Sequence, residues 1–286
     1  MSSIILSLVA LIPAVLLCWY IYVKDRVEKE PAVLLLVLFF AGAIAYLPII
    51  YVENEIIGLI DKMFASKITY SLTGVASFAS EGVFVLHSAA CGFVGIALVE
   101  EAAKWLLLYF ISRNNKDFDH LFDGIVYAVF AALGFAAMEN VFYAVRDGWT
   151  TFVLRSLTSV PGHMTFGVLM GFCYTMWHTY LVARKREREL ANTGAITLER
   201  PFNSGIWLAA SLALPVLLHG CYSFLRFFTS DIMTIVFYAF IVVLYVFCFF
   251  GVHQLSDTDS SDDRIADRMI NKKYPYLNRP GKRSGR

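Results

Sequence analysis

Charge is scarce in this sequence. Only 16% of its 286 residues are Asp, Glu, Lys or Arg, against about 25% in a soluble domain. Cysteine is scarce too: there are five, and no C-x-x-C pair. That excludes a disulfide framework and a zinc knuckle. Cys18, Cys91, Cys173, Cys221 and Cys248 sit apart in apolar surroundings and read as small packing residues. The net charge of +1 offers no basic excess for nucleic acid. There is no internal repeat of the kind that marks many transporters, and no soluble domain. What remains is apolar: 58% of residues are hydrophobic, with mean hydropathy +0.62.

The apolar residues come in runs, and about 20 in a row cross a bilayer. The expected fold is all-α: a polytopic integral membrane protein of about seven spans, near 3–23, 32–52, 88–111, 122–145, 153–183, 205–228 and 232–253. The first run lacks the basic start of a signal peptide and is kept as a helix. The fifth is too long for one straight crossing, so a bend is expected at Pro161-Gly162. Segment 62–87 mixes Ser, Thr and Gly with apolar residues and reads as an amphipathic or re-entrant helix. Residues 1–255 are expected to form one transmembrane domain. Residues 256–286 form a charged cytoplasmic tail, expected to be disordered around Asp257, Asp259, Asp262 and Asp263. Its basic stretch from Arg264 onward would touch anionic lipid. With the N-terminus outside, 18 Lys and Arg fall in cytoplasmic segments and 5 (Lys62, Lys67, Arg146, Arg155, Arg226) in outer ones. That asymmetry favours N-outside, C-inside in the plasma membrane.

Against this background the ionisable residues inside spans stand out. They are Glu100, Glu101 and Lys104 in VEEAAKW, Glu139 in AAMENVF, His163 in VPGHMTF and His219 in VLLHGCY. Each Asp, Lys or Arg at a helix centre costs about 2.5–3.5 kcal/mol on insertion. Such groups must therefore face one another, water or a metal. Counting from the nearest outer arginine, Glu139, His163 and His219 each lie about 10–12 Å down at 1.5 Å per residue. Three candidate ligands on three spans thus share one level. Glu100 and Lys104 are four apart and share a face, while Glu101 points about 100° away. Phe135 stands four before Glu139 and can wall the site. Gly134, Gly167 and Gly171 permit close helix approach. Asp123, at a helix start, reads as a cap. His87, His120, His178 and His253 lie near span ends and read as interfacial.

Two histidines and a carboxylate make a zinc ligand set with one position left for water. His163, His219 and Glu139 could supply it, with Glu100 or Glu101 as general base. Lys104 could hold a glutamate ionised or steady an oxyanion. A proton- or ion-coupled transporter could use the same cluster. The ordered motifs decide between them by resemblance. Glu100-Glu101-Ala102-Ala103-Lys104, Phe135 to Glu139, then His163 and His219 resemble the EExxK, FxxxE and two-histidine pattern of the PrsW family of bacterial intramembrane proteases. That family lies within the group that includes the CAAX-prenyl proteases. The DGIVYA stretch at Asp123 to Ala128 is also similar, and the likeness spans roughly residues 30–255. The prenyl proteases carry His at the position of Glu139 and Asn at that of Ser223. The resemblance implies cleavage of a membrane-anchored substrate, such as an anti-sigma factor, near its outer side. It also implies Glu100 and Glu101 at the water-activating position, and Glu139, His163 and His219 as ligands of a divalent metal, zinc by type.

Overall fold

Apolar runs longer than a soluble helix needs become long helices here, and the most densely packed one forms the centre. The computed structural model describes residues 3–70, 76–113, 115–198 and 202–278. Among these, nine α-helices follow one another: α1 Ser3–Lys24, α2 Ala32–Phe64, α3 Glu81–Ala89, α4 Val99–Ser112, α5 Asp123–Asp147, α6 Trp149–Asn192, α7 Gly205–Leu225, α8 Asp231–Asp257 and α9 Asp262–Lys273. A π-helical stretch, Ala90–Leu98, joins α3 to α4. Arg200, Arg279, Lys282, Arg283 and Arg286, which enter the charge count above, lie outside the described residues.

Among the described residues, six helices are long and apolar enough to cross a membrane: α1, α2, the joined α3–α4, α5, α7 and α8. The seventh expected span, 153–183, lies within the 44-residue α6. That helix is long enough but more polar, because Arg155, Ser159, His163, Thr165, Thr175 and Thr179 turn inward and are buried. It runs unbroken through Pro161. On α8 the apolar residues Ile232, Ile235, Val242, Val246, Phe247 and Phe250 point outward instead. Such a continuous exposed apolar face suits lipid.

The centre is α5. Its most apolar window is 83% buried, against 22–33% for the other five. Its sequence is small and apolar all round, the composition of a helix enclosed on every side. Glycines set the crossings. A Cβ on Gly134 would overlap the Phe39 carbonyl of α2, and one on Gly171 of α6 would overlap the Gly124 carbonyl of α5. Backbones therefore touch at both crossings, as small residues allow in membranes. α4 and α6 also pack on α5, and α7 packs on α6, which gathers the candidate residues.

Two expectations are corrected. The described residues of segment 62–87 do not form one amphipathic or re-entrant helix; residues 71–75 of that segment lie outside the described residues, and only its last part, from Glu81, is helical as the start of α3. α2 continues to Phe64, and β1 Ile68–Tyr70 then pairs antiparallel with β2 Ala76–Phe78, Ile68 opposite Phe78. Ile-Thr-Tyr and Ala-Ser-Phe carry the β-branched and aromatic residues that suit a pleated surface. The tail is not disordered through 262–273. α9 docks on α6, where Asp262 accepts from His178 Nδ1 at 2.5 Å and from the Thr179 hydroxyl. Buried Glu187 receives the Lys273 ammonium and, at 2.6 Å, the Tyr274 hydroxyl. The four aspartates expected to lie in a disordered run are divided between backbone contacts and side-chain pairs. Asp259 accepts from the Phe122 and Ser260 backbone N–H groups, and Asp257 pairs with Arg26.

Candidate active site

Immediately after the π-helical stretch, the first turn of α4 presents Glu100 and Glu101 inward, with Lys104 one turn on. π-helical turns shift the register of a helix and are frequent at functional sites. Gly92 and Gly220 let this stretch lie directly against α7: a Cβ on Gly92 would sit 2.9 Å from the Phe224 nitrogen, and one on Gly220 would overlap the Phe93 ring. His219 is thereby carried up to Glu101. α5 brings Glu139, and α6 brings His163. All six candidate residues are buried and gather in one cluster.

Lys104 is the hub. Its ammonium donates to Glu100 at 3.1 Å, to Glu101 at 2.8 Å and to His163 Nδ1 at 2.9 Å. It also lies 4.4 Å above the Phe135 ring, the expected wall residue. An ammonium can only donate, so His163 Nδ1 accepts and its proton sits on Nε2. That nitrogen donates to Glu139 Oε2 at 3.0 Å. His219 has the opposite tautomer: Nδ1–H donates to Glu101 Oε1 at 2.8 Å, leaving the lone pair on Nε2. A carboxylate behind an imidazole in this way is the usual support for a metal-binding histidine. The two imidazoles meet edge to face at 5.2 Å, and Phe166 stacks on His219 at 4.8 Å.

Two further residues belong to the cluster and were not among the candidates. Arg155, counted as an outer-loop charge, is buried and pairs with Glu139 at 2.6 Å. Its place was signalled by spacing, since Arg155, Ser159 and His163 recur every four residues on one face of α6; Arg155 also donates to Ser159 at 2.9 Å. Glu53 of α2 lines the same cavity, and no motif pointed to it. The cavity measures ≈ 240 Å³, with Glu53, Glu100, Glu139, Arg155, His163 and His219 on its walls and Ser223 and Arg226 toward the end of α7. Glu101 does not line it.

The donors suit a cation. One donor atom each from Glu100, Glu101, His163 and His219 lies within 4.8 Å of the others. Glu139 joins them through His163, with both its contacts on Oε2. Among the described residues Glu101 Oε2 is buried without a partner. Glu53, Glu100, Glu101 and Glu139 outnumber Lys104, Arg155 and Arg226 by one, an excess of carboxylates that a bound cation would offset.

Over most of its length the chain has counterparts among known proteins. The description "PrsW family intramembrane metalloprotease" matches residues 30–252. The chain belongs to the PrsW family. It is 30% identical to Protease PrsW of Oceanobacillus iheyensis over 246 residues, 86% of this chain and 93% of that relative. It is 33% identical to Protease PrsW of Geobacillus kaustophilus over 213 residues, 74% of this chain and 76% of the other. Against Protease PrsW of Bacillus subtilis the identity is 29% over 213 residues, 74% and 78% of the two chains. No solved structure matches it. Membership makes this chain a multi-pass membrane protease of metalloprotease type, acting on a protein substrate in the membrane.

Proposed function

We propose that this PrsW-family protease cuts a membrane-anchored, anti-sigma-factor-like protein on its extracytoplasmic side, as the first cleavage of a stress-signalling cascade. The observation that supports it most is the cavity that Glu100, Glu139, His163 and His219 line together. The protease domain comprises residues 1–255, with the N-terminus outside and the C-terminus cytoplasmic. The charge count favours this orientation, the more so because Arg155 leaves the outer tally once it is buried.

Glu139, His163 and His219 would hold a divalent cation, zinc by donor type, with His163 exchanging its contact to Lys104 or Glu139 for the ion so that a ring lone pair is free. When bound, the ion supplies Lewis acidity, lowering the pKa of a water and polarising the scissile carbonyl. The chain's own groups then have separable tasks. Glu100 lines the cavity and takes the proton of the attacking water, then returns it to the leaving amine. Glu101, walled off behind it, fixes the His219 tautomer through Nδ1. Lys104 pairs with both glutamates at once and fixes their positions. Arg155 anchors Glu139 through the same oxygen that His163 contacts. The surrounding helices keep bulk water from the buried groups, which strengthens each of these interactions.

Cleavage of a membrane-anchored anti-sigma-factor reporter, co-expressed with the protease and followed by immunoblot, tests this reading. Glu100→Gln keeps the shape and removes the base, so cleavage falls about 10²–10⁴-fold while bound metal is retained. Wild-type cleavage by Glu100→Gln would refute the assignment.

A further inference from the structure

A second set of metal-ligating side chains lies outside the active site, at the end of the bundle that carries the β-hairpin. Asp61 stands on the last turn of α2, His87 on the last turn of α3, and Cys91 at the start of the π-helical stretch. His87 and Cys91 are four apart and share one helix face. His87 Nε2 lies 2.7 Å from Asp61 Oδ1, and Cys91 Sγ lies 3.7 Å from Nε2 and 3.9 Å from Nδ1 of the same ring. One donor atom from each of the three falls within 4.8 Å of the others. Phe64 and Phe78 flank the imidazole, their ring centroids 5.4 and 5.3 Å away. Cys91 is buried, while the Asp61 side chain is 41% exposed. The cluster is therefore dry on the cysteine side and open to ions on the aspartate side.

We propose that Asp61, His87 and Cys91 form a second metal site that takes a thiophilic divalent cation of the Zn2+ type, with solvent completing its coordination. Thiolate, imidazole and carboxylate together match zinc and its borderline-soft neighbours, whereas Mg2+ and Ca2+ require oxygen donors. Binding is a ligand exchange: the thiol releases its proton to solvent as the metal–sulfur bond forms, and nothing is oxidised or reduced. The donors come from α2 and from the α3–π segment, so the ion clamps one to the other. That clamp bears on the active site. Glu53, Ile57 and Asp61 recur every four residues on one face of α2, and Glu53 lines the catalytic cavity. Between them, a Cβ on Gly95 would lie 2.8 Å from the Ile57 side chain, so the two segments touch along this line. The ion thus fixes the outer end of the helix that forms one wall of the cavity, about 12 Å from Glu53 at 1.5 Å per residue.

Cobalt reports this site separately, because the catalytic donors include no sulfur. The full-length protein is purified in detergent, stripped of metal, loaded with Co2+ and scanned for thiolate-to-cobalt charge-transfer absorption. The band is expected in the wild type, is retained in the His163→Ala, His219→Ala double variant, and disappears in Cys91→Ser. His87→Ala keeps the thiol and should lose or shift the band, which decides the matter should Cys91→Ser fail to fold by circular dichroism. Absence of the band in the wild type, a band that survives Cys91→Ser, or one left unchanged by His87→Ala overturns the proposal. None of these outcomes depends on catalysis, so they leave the assignment of the active site to its own test.

Discussion

Lys104 contacts Glu100, Glu101 and His163 at once, and no pairwise reading of the sequence contains that geometry. Spacing showed that Lys104 shares a face with Glu100. The expense of burying charge showed that the ionisable residues must meet. Those two arguments suffice to find the six candidates. They miss Arg155 because an arginine close to a helix start reads as an interfacial anchor, and only the packing of α6 on α5 turns it inward. They miss Glu53 because α2 was expected to end at residue 52. Arg155 also shows that depths counted from outer arginines used a reference that is itself part of the site. Only the depth of His163 was counted from Arg155; those of Glu139 and His219 were counted from Arg146 and Arg226. Arg155→Met leaves Glu139 without its cationic partner, held only by His163, and breaking a buried pair by removing one partner costs about 3–5 kcal/mol. The expected result is a lower melting temperature in detergent together with reduced cleavage. Adding Glu139→Gln to Arg155→Met should restore much of the stability but none of the cleavage. Equal stability of the single and double variants would show that the pair contributes little.

At the scale of elements, hydropathy found the helices that meet lipid and was less informative about those that do not. α5 and α6 are packed against protein, so polar residues are tolerated on α6 and small ones required on α5. Segment 62–87 was misread because a hairpin and a surface helix have similar composition, and the pairing of Ile68 with Phe78 is a non-helical contact that composition does not encode. The tail was misread because its acidic residues pair with α6 and with Arg26, partners far away in sequence. The glycine crossings were legible, and they make a direct prediction. Gly134→Ala places a methyl group where the Phe39 carbonyl oxygen lies, and overpacking of this kind costs about 1–3 kcal/mol. Thermal unfolding of the purified protein should show the loss. Gly58→Ala, with open space around it, should leave the melting temperature unchanged or slightly raised. Similar melting of both variants would mean that α2 and α5 can separate without penalty.

For the whole molecule, the bundle shields one cluster of polar groups around Lys104 and holds a second set around Glu30. Glu30, in the loop between α1 and α2, is buried and receives the Tyr127 hydroxyl at 2.5 Å. Burial pushes its carboxyl up to about 7 from the ordinary 4.5, against the lowering effect of the Tyr127 hydrogen bond. Between those values the folded state holds a proton that the unfolded chain has lost, so stability falls as pH rises across that window. Melting temperature measured from pH ~5 to ~8 should decline in the wild type, and Glu30→Gln should flatten the decline. An identical slope in both would remove Glu30 from the account. The central claim, however, is that the cluster around Lys104 binds a catalytic metal through His163 and His219. Elemental analysis of the detergent-purified wild type beside the His163→Ala, His219→Ala variant tests it most directly. The account predicts that the variant carries one equivalent of zinc less and cleaves nothing. Equal metal content in the two proteins would contradict it.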